Sequence, residues 1–150
     1  MTADLDLEGL RSLLNIDPNN VVAVMARQGE LYSRVCDMHQ LQWDEVSRAK
    51  LDLAILEAEL DLKARAYLSQ SRSGNQWVME PEVEAQIHRE PRWKLATERV
   101  DAAYSLMGRI AAVRDGFAHR KDMLSAIAAQ LRQQQAMTAG YETASRSTSA

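Results

Sequence analysis

This sequence contains few residues that cross-link, break or anchor a chain. One cysteine, Cys36, excludes an intramolecular disulfide and fits a reducing compartment. Three prolines and six glycines are too few to separate many short strands. No uninterrupted apolar run approaches the roughly 18 residues of a membrane span, and the N-terminus has acidic residues where a secretory signal needs cations. We therefore expect a cytoplasmic protein with no membrane partner.

The residues that are abundant favour helices. The 150-residue chain is 46% hydrophobic but only 5% aromatic, and it is rich in Ala, Leu, Arg, Gln and Glu. Unbranched side chains of this kind lose little rotamer freedom on a helix. The composition therefore predicts an all-α fold.

The spacing of apolar residues predicts where the helices lie. In the first half of the chain, apolar positions step by fours and threes, near the 3.5-residue repeat of a coiled coil, with Gln28, His39 and Gln42 as polar interruptions. Asp17 and Pro18 are typical of a helix start. The pattern predicts a short helix over 3–14, a long helix over 18–69, a break over 70–91 with helical turns at 82–89, and a second long helix over 92–135.

Two long helices joined by a break predict an antiparallel helical hairpin, with residues 1–135 as one helical domain. Residues 136–150 are small and polar, which predicts a disordered tail. Leu51 and Ile55 widen the apolar face of the first long helix beyond a single seam. Surplus apolar surface of this kind predicts a homo-oligomer.

Charge is distributed unevenly along the chain. Residues 1–61 carry five basic and twelve acidic residues, whereas residues 62–150 carry thirteen and nine, which leaves a net charge of −3. Within 61–77, cations alternate with Tyr67 and Trp77 beside a Ser/Gly turn. Single-stranded nucleic acid needs charge for its phosphates and flat partners for its bases. The stretch therefore predicts a surface for single-stranded DNA.

The same stretch resembles a known family. Residues 62–65 read LKAR and are followed by Tyr67, Ser69, Arg72 and Gly74. This block resembles the UvsY family of phage recombination mediators, in which a helix ending in LKAR leads into an aromatic-containing link and a Ser-x-Arg-Gly-type turn. Asn19–Val21, Leu31–Ser33 and Gly116–Ala118 are similar as well, so the resemblance covers roughly residues 19–125.

The resemblance implies a function and a site. UvsY-like proteins are helical, assemble into rings, bind single-stranded DNA and help load a RecA-like recombinase onto DNA covered by single-strand-binding protein. It places Lys63 and Arg65 on the DNA-binding surface, and it implies host-cell cytoplasm for a phage-encoded chain. The turn reads SRSGN here, which departs from the Arg-Gly of the family at Arg72, and the last 25 residues have no counterpart.

Other residues join this candidate site on chemical grounds. Tyr67 and Trp77 are candidates for base stacking, and Arg72 in the turn is a candidate DNA contact that also suits a solvated surface position. Arg89, Arg92 and Lys94 follow the break and can return to the same end of the hairpin. The alternatives are structural. Lys63 and Arg65 also suit a helix C-terminus, and Trp77 also suits packing against the adjoining helix.

Nothing in the sequence predicts an enzyme, a metal site or a cofactor. Cys36 with His39, and Glu84 with His88, fall short of the three or four ligands of a metal site. Phosphate-loop and hydrolase motifs are absent from the sequence. The function that competes with a recombination mediator is a non-catalytic coiled-coil scaffold or virion assembly protein without DNA affinity.

Overall fold

The computed structural model describes residues 3–17, 20–71 and 77–147. Over these residues the chain forms helices and no strands, which confirms the all-α prediction. None of the described helices combines the length and apolarity needed to cross a membrane. The helices are α1 (Ala3–Ser12), α2 (Val21–Gln70), α3 (Glu80–Arg89) and α4 (Pro91–Ser147).

The segment between α1 and α2 ends one helix and begins the next. After α1, the amide of Leu13 donates to the carbonyl of Leu10 at 3.1 Å. Before α2, the amide of Asn20 donates to the carbonyl of Asp17 at 3.1 Å. The predicted start at 18 and the role of Pro18 lie outside the described residues.

The break between the long helices contains a complete short helix. Pro81 lies in the first turn of α3, where its missing amide hydrogen costs no hydrogen bond. The carboxylate of Glu82 accepts a hydrogen bond from the amide of Met79 at 3.2 Å. Glu90 ends α3 in an extended conformation, as favoured before a proline, and α4 then begins at Pro91. The helical turns predicted within the break are confirmed.

The prediction of a disordered tail over 136–150 is wrong for most of that segment, because α4 continues to Ser147. Extending an existing helix adds one hydrogen bond for each residue that is fixed, whereas starting a new helix is costly. A polar segment without proline can therefore continue a helix that it would not start. Residues 148–150 lie outside the described residues.

The chain divides into two compact units, and the prediction of one helical domain over 1–135 stays a prediction. Unit 1 contains residues 1–37 and 110–150, and unit 2 contains residues 38–109. No side chain between Val35 and Val46 on α2 is buried, nor any between Ala103 and Ile110 on α4. Each unit therefore has its own buried core.

Phe117 is the largest fully buried side chain of unit 1. Gly116 on α4 allows a close approach, because a Cβ added there would lie 3.0 Å from Cδ1 of Leu14. The segment after α1 therefore packs against the backbone of α4 at a position where glycine leaves room. The apolar core of the unit consists of Leu7, Leu10, Val21, Leu31, Val35, Ile110, Val113, Phe117 and Leu124.

Unit 2 is built on an antiparallel pairing of α2 with α4. Arg99 binds Glu45 at 2.8 Å and Asp52 at 3.0 Å, and nearer the end of α2 the indole of Trp93 donates to Glu57 at 2.9 Å. Residues later in α2 contact residues earlier in α4, which is the antiparallel arrangement predicted for a hairpin. The apolar core of the unit consists of Val46, Ala49, Leu56, Leu60, Ala64, Val83, Val100 and Ala103.

Gln28 and Gln42, predicted to interrupt the seam of α2, both donate to carbonyls of α4. Gln28 bonds to the carbonyl of Phe117 at 2.7 Å in unit 1, and Gln42 bonds to that of Ala103 at 3.1 Å in unit 2. A bonded amide fixes the register of two helices, because a shift along either axis leaves its polar atoms unpaired.

Two glycines of α4 give a matched test of this packing. Gly108→Ala should raise the free energy of unfolding by about 0.5–1 kcal/mol, since a helical alanine loses less backbone entropy and a Cβ there meets nothing within 4 Å. Gly116→Ala should raise the free energy of unfolding by less, or lower it, because the side chain of Leu14 has to move. Urea denaturation of both variants measures the difference, and equal stabilisation would contradict the close approach.

Candidate nucleic-acid interface

Three of the predicted residues line one cavity in unit 2. Lys63 and Tyr67 lie one turn apart on α2 and therefore on the same face, and Arg92 lies in the first turn of α4. The cavity, here called the tyrosine cavity, has a volume of about 260 Å³. Its lining residues are Leu60, Lys63, Ala64, Tyr67, Gln86, Ile87, Glu90 and Arg92.

Glu59 bridges the two cations of this cavity. Its Oε1 lies 2.6 Å from Nζ of Lys63 and 3.2 Å from Nη1 of Arg92. The hydrogen bond from Lys63, followed by that from Arg92, holds the pKa of the Glu59 carboxyl below its ordinary value. One carboxylate is therefore shared between two cations, and Glu90, which also lines the cavity, adds a second acidic residue beside them.

Arg65 is paired more completely than Lys63. Its Nε donates to Asp61 at 2.9 Å, and its Nη2 lies 2.7 Å and 2.8 Å from the two carboxylate oxygens of Glu80 in α3. The hydrogen bonds to Asp61 and then to Glu80 raise the pKa of the Arg65 guanidinium further. Two carboxylates therefore surround the second cation of the LKAR block, and Arg65 connects α2 to the start of α3.

Arg89 and Lys94 are exposed, and neither side chain makes an ion pair within 3–17, 20–71 and 77–147. The backbone amide of Lys94 donates to Glu90 at 3.3 Å, so its contact is part of the helix start. These two cations are not among the residues that line the tyrosine cavity.

The two predicted aromatic residues are both exposed. The exposed fraction is 61% for Tyr67 and 89% for Trp77. Such exposure argues against the alternative in which the ring of Trp77 is buried against an adjoining helix. Arg72 lies outside the described residues, so its predicted role stays a prediction.

The carboxylates that pair with these cations were missed by the sequence interpretation. Glu59 and Asp61 precede Lys63 and Arg65 by four residues, the spacing at which opposite charges meet on a helix. That signal was available in the sequence. The contacts of Glu80 with Arg65 and of Arg92 with Glu59 join different helices and have no such signal.

The described side chains include no group of three or more His, Cys, Asp or Glu residues positioned to hold a metal ion. His88 instead stacks on Trp93, with ring centroids 4.3 Å apart.

Comparisons with known proteins found no protein-family model, no curated protein and no solved structure that matches this chain.

The pairing of Glu59 makes a prediction about its titration. In a Lys63→Met variant we expect the pKa of Glu59 to rise toward its ordinary value, because the largest cause of its depression is removed. Since the folded pKa is depressed, the associated stability is present above the unfolded pKa and is lost as the pH falls through the folded value. An NMR titration of the glutamate side chains measures the pKa, and Arg48→Met, which removes a cation near Glu45, is the control.

Proposed function

We propose that this chain binds single-stranded DNA through the tyrosine cavity of unit 2 and acts as a recombination mediator. In that role it helps a RecA-like recombinase load onto DNA covered by single-strand-binding protein. The mediator role rests on the resemblance of residues 62–74 to the UvsY family. The DNA-binding step is supported by the chemistry of the cavity.

The observation that carries the proposal is an exposed aromatic residue that lines the same cavity as two cations. Tyr67 is 61% exposed and lines the same cavity as Lys63 and Arg92. Stacking of a base on an aromatic ring contributes about 1–3 kcal/mol to single-strand binding and tolerates every base. The two cations can contact the phosphates on either side of a stacked base.

The carboxylates beside the cavity lower the affinity that these cations would otherwise give. Lys63 is 64% exposed and Arg92 is 60% exposed, so their ion pairs with Glu59 are solvated and exchange readily with other anions. A phosphate that binds here has to displace Glu59 or share its cations. We therefore expect weak binding by one copy and useful affinity only where several copies bind one strand.

Binding of a labelled single-stranded oligonucleotide, followed by fluorescence anisotropy at several salt concentrations, tests the proposal. Lys63→Gln/Arg92→Gln should weaken binding about ten-fold or more and reduce the salt slope by about 1.4, since each lost phosphate contact on a single strand contributes about 0.7. Tyr67→Ala should weaken binding without changing the slope, because stacking releases no counterions.

Two further variants make the test specific. Glu59→Gln should tighten binding, because it frees both cations while removing a negative charge. Arg48→Gln, at an exposed ion pair of α2 away from the cavity, should have little effect. Absence of salt-dependent binding by the wild-type protein would contradict the proposal, as would equal losses in the Arg48 and Lys63/Arg92 variants.

An exposed apolar stripe on α2 supports the second candidate function, a non-catalytic scaffold or virion assembly protein. The exposed fraction is 60% for Leu51, 61% for Ile55 and 71% for Leu62, and Ala58 between them is exposed as well. These residues are four, three and four positions apart, which is the spacing of a coiled-coil seam. They lie on a different face of α2 from its buried residues. A scaffold built through this stripe needs no nucleic acid.

Sedimentation distinguishes the role of the stripe from that of the cavity. Leu51→Gln/Ile55→Gln should reduce the mass of the assembly, because it places two polar groups in the seam. Val22→Gln/Met123→Gln alters two exposed apolar side chains of unit 1 and serves as the matched control. A stable wild-type monomer at micromolar concentration would contradict a role for the stripe in self-association. An oligomer without DNA affinity would favour the scaffold.

A further inference from the structure

Unit 1 contains a buried arginine whose charge the described residues do not balance. Arg120 on α4 is only 6% exposed, and no carboxylate within 3–17, 20–71 and 77–147 forms an ion pair with it. Its Nη1 donates to Oε1 of Gln28 at 2.6 Å, while its buried Nε has no hydrogen-bond partner. A buried charge is costly unless an opposite charge and hydrogen bonds compensate it.

Gln28 is not free to rearrange around this arginine. Its Nε2 donates to the carbonyl of Phe117 at 2.7 Å, which leaves Oε1 as the acceptor for Arg120. The ring of Phe117 lies 5.7 Å from the guanidinium carbon and contributes a cation–π contact without negative charge. Burial lowers the pKa of Arg120, yet a guanidinium stays protonated in proteins. The positive charge is therefore held in place by neutral neighbours.

Arg120 lines a cavity of about 210 Å³ together with a second arginine, Arg27. The polar residues Ser12, Asn15, Asp17 and Asn20 line it as well, together with the apolar residues Val24 and Leu31. Among the described residues that line the cavity, two arginines and one acidic residue, Asp17, give a net positive charge.

The start of α2 adds to this positive character. Ala23 and Val24, from the first turn of α2, line the cavity beside Asn20. The first amides of a helix have no acceptor within the helix, and the helix dipole places partial positive charge there. Anions bind at such positions when further donors converge on them.

We propose that this cavity of unit 1 binds a small oxyanion of the phosphate class, held by Arg120 and Arg27 at the start of α2. The anion supplies the negative charge that Arg120 lacks. A water molecule in the cavity would leave this charge uncompensated. The proposal concerns unit 1 and does not depend on DNA binding by unit 2.

Titration calorimetry and thermal unfolding of the full chain with inorganic phosphate test this site, at an ionic strength kept constant with sodium chloride. Phosphate should raise the Tm of the wild-type protein above the value in chloride alone, because a ligand that binds only the folded state stabilises it. Arg120→Met and Arg27→Gln should each weaken phosphate binding about ten-fold or more, as expected when a charged hydrogen-bond donor is lost.

Arg27 is exposed, so its variant tests the site even where Arg120→Met impairs folding. Lys121→Gln removes the same charge from an exposed position next to Arg120 and should leave phosphate affinity unchanged. Asp17→Asn should tighten binding, because it removes the carboxylate from the lining. Absence of a phosphate-specific effect in the wild type, or equal losses in Lys121→Gln and Arg27→Gln, would overturn the proposal. Phosphate binding by the Asp17→Asn variant but not by the wild-type protein would also overturn the proposal, because Asp17 would then already balance the charge of Arg120 in the wild type.

Methyl phosphate distinguishes the two sources of such an anion. Binding as tight as that of inorganic phosphate, with the same losses in the arginine variants, assigns the site to the phosphate group of an ester. Binding of inorganic phosphate alone assigns it to the free ion. Either result supports the site.

Discussion

The pairing of α2 with α4 is the constraint on which both cores depend. Each helix is far longer than any single packing layer, and each presents a buried side to the other through apolar steps of three and four residues. Where the seam is apolar, a core forms. Where α2 carries Met38, His39 and Gln42, no side chain is buried, and the chain divides into two units at that interval. The interval without a buried side chain therefore coincides with the boundary between the two units.

The sequence was sufficient to predict the helices because the signals that determine them are local. Apolar spacing located both long helices, and the break predicted over 70–91 contains α3 and ends where α4 begins. The predictions that differ from the structure relied on local composition and left out the neighbouring helix. Residues 136–147 are polar enough to be disordered alone, yet they follow a helix that is already formed. The division into two units depends on burial, which composition does not report.

The candidate site was less predictable, because ion pairs between helices determine its charge. The sequence identified Lys63, Tyr67 and Arg92, and the structure places them around one cavity. The sequence interpretation left out the acidic partners Glu59 and Glu80, which contact the cations from the preceding turn and from α3. The four-residue spacing of Glu59 and Lys63 was readable, but the contact of Glu80 with Arg65 requires the fold. Arg120 was missed because an arginine in a polar helical segment is ordinarily a solvated residue.

The ion pairs around the tyrosine cavity bear directly on the choice between the two candidate functions. A mediator has to hold DNA and then release it to a recombinase, so the affinity of each copy should be modest. Glu59 provides a reason for modest affinity, because it competes with phosphate for Lys63 and Arg92. A pure scaffold needs no exposed Tyr67 beside those cations, but it does need an apolar seam such as Leu51, Ile55 and Leu62.

The two surfaces involve different faces of α2, so self-association through the stripe would leave the cavity accessible and would repeat it in every copy. Repetition is what weak phosphate contacts require to hold a strand, and the stripe therefore supports the mediator as well as the scaffold.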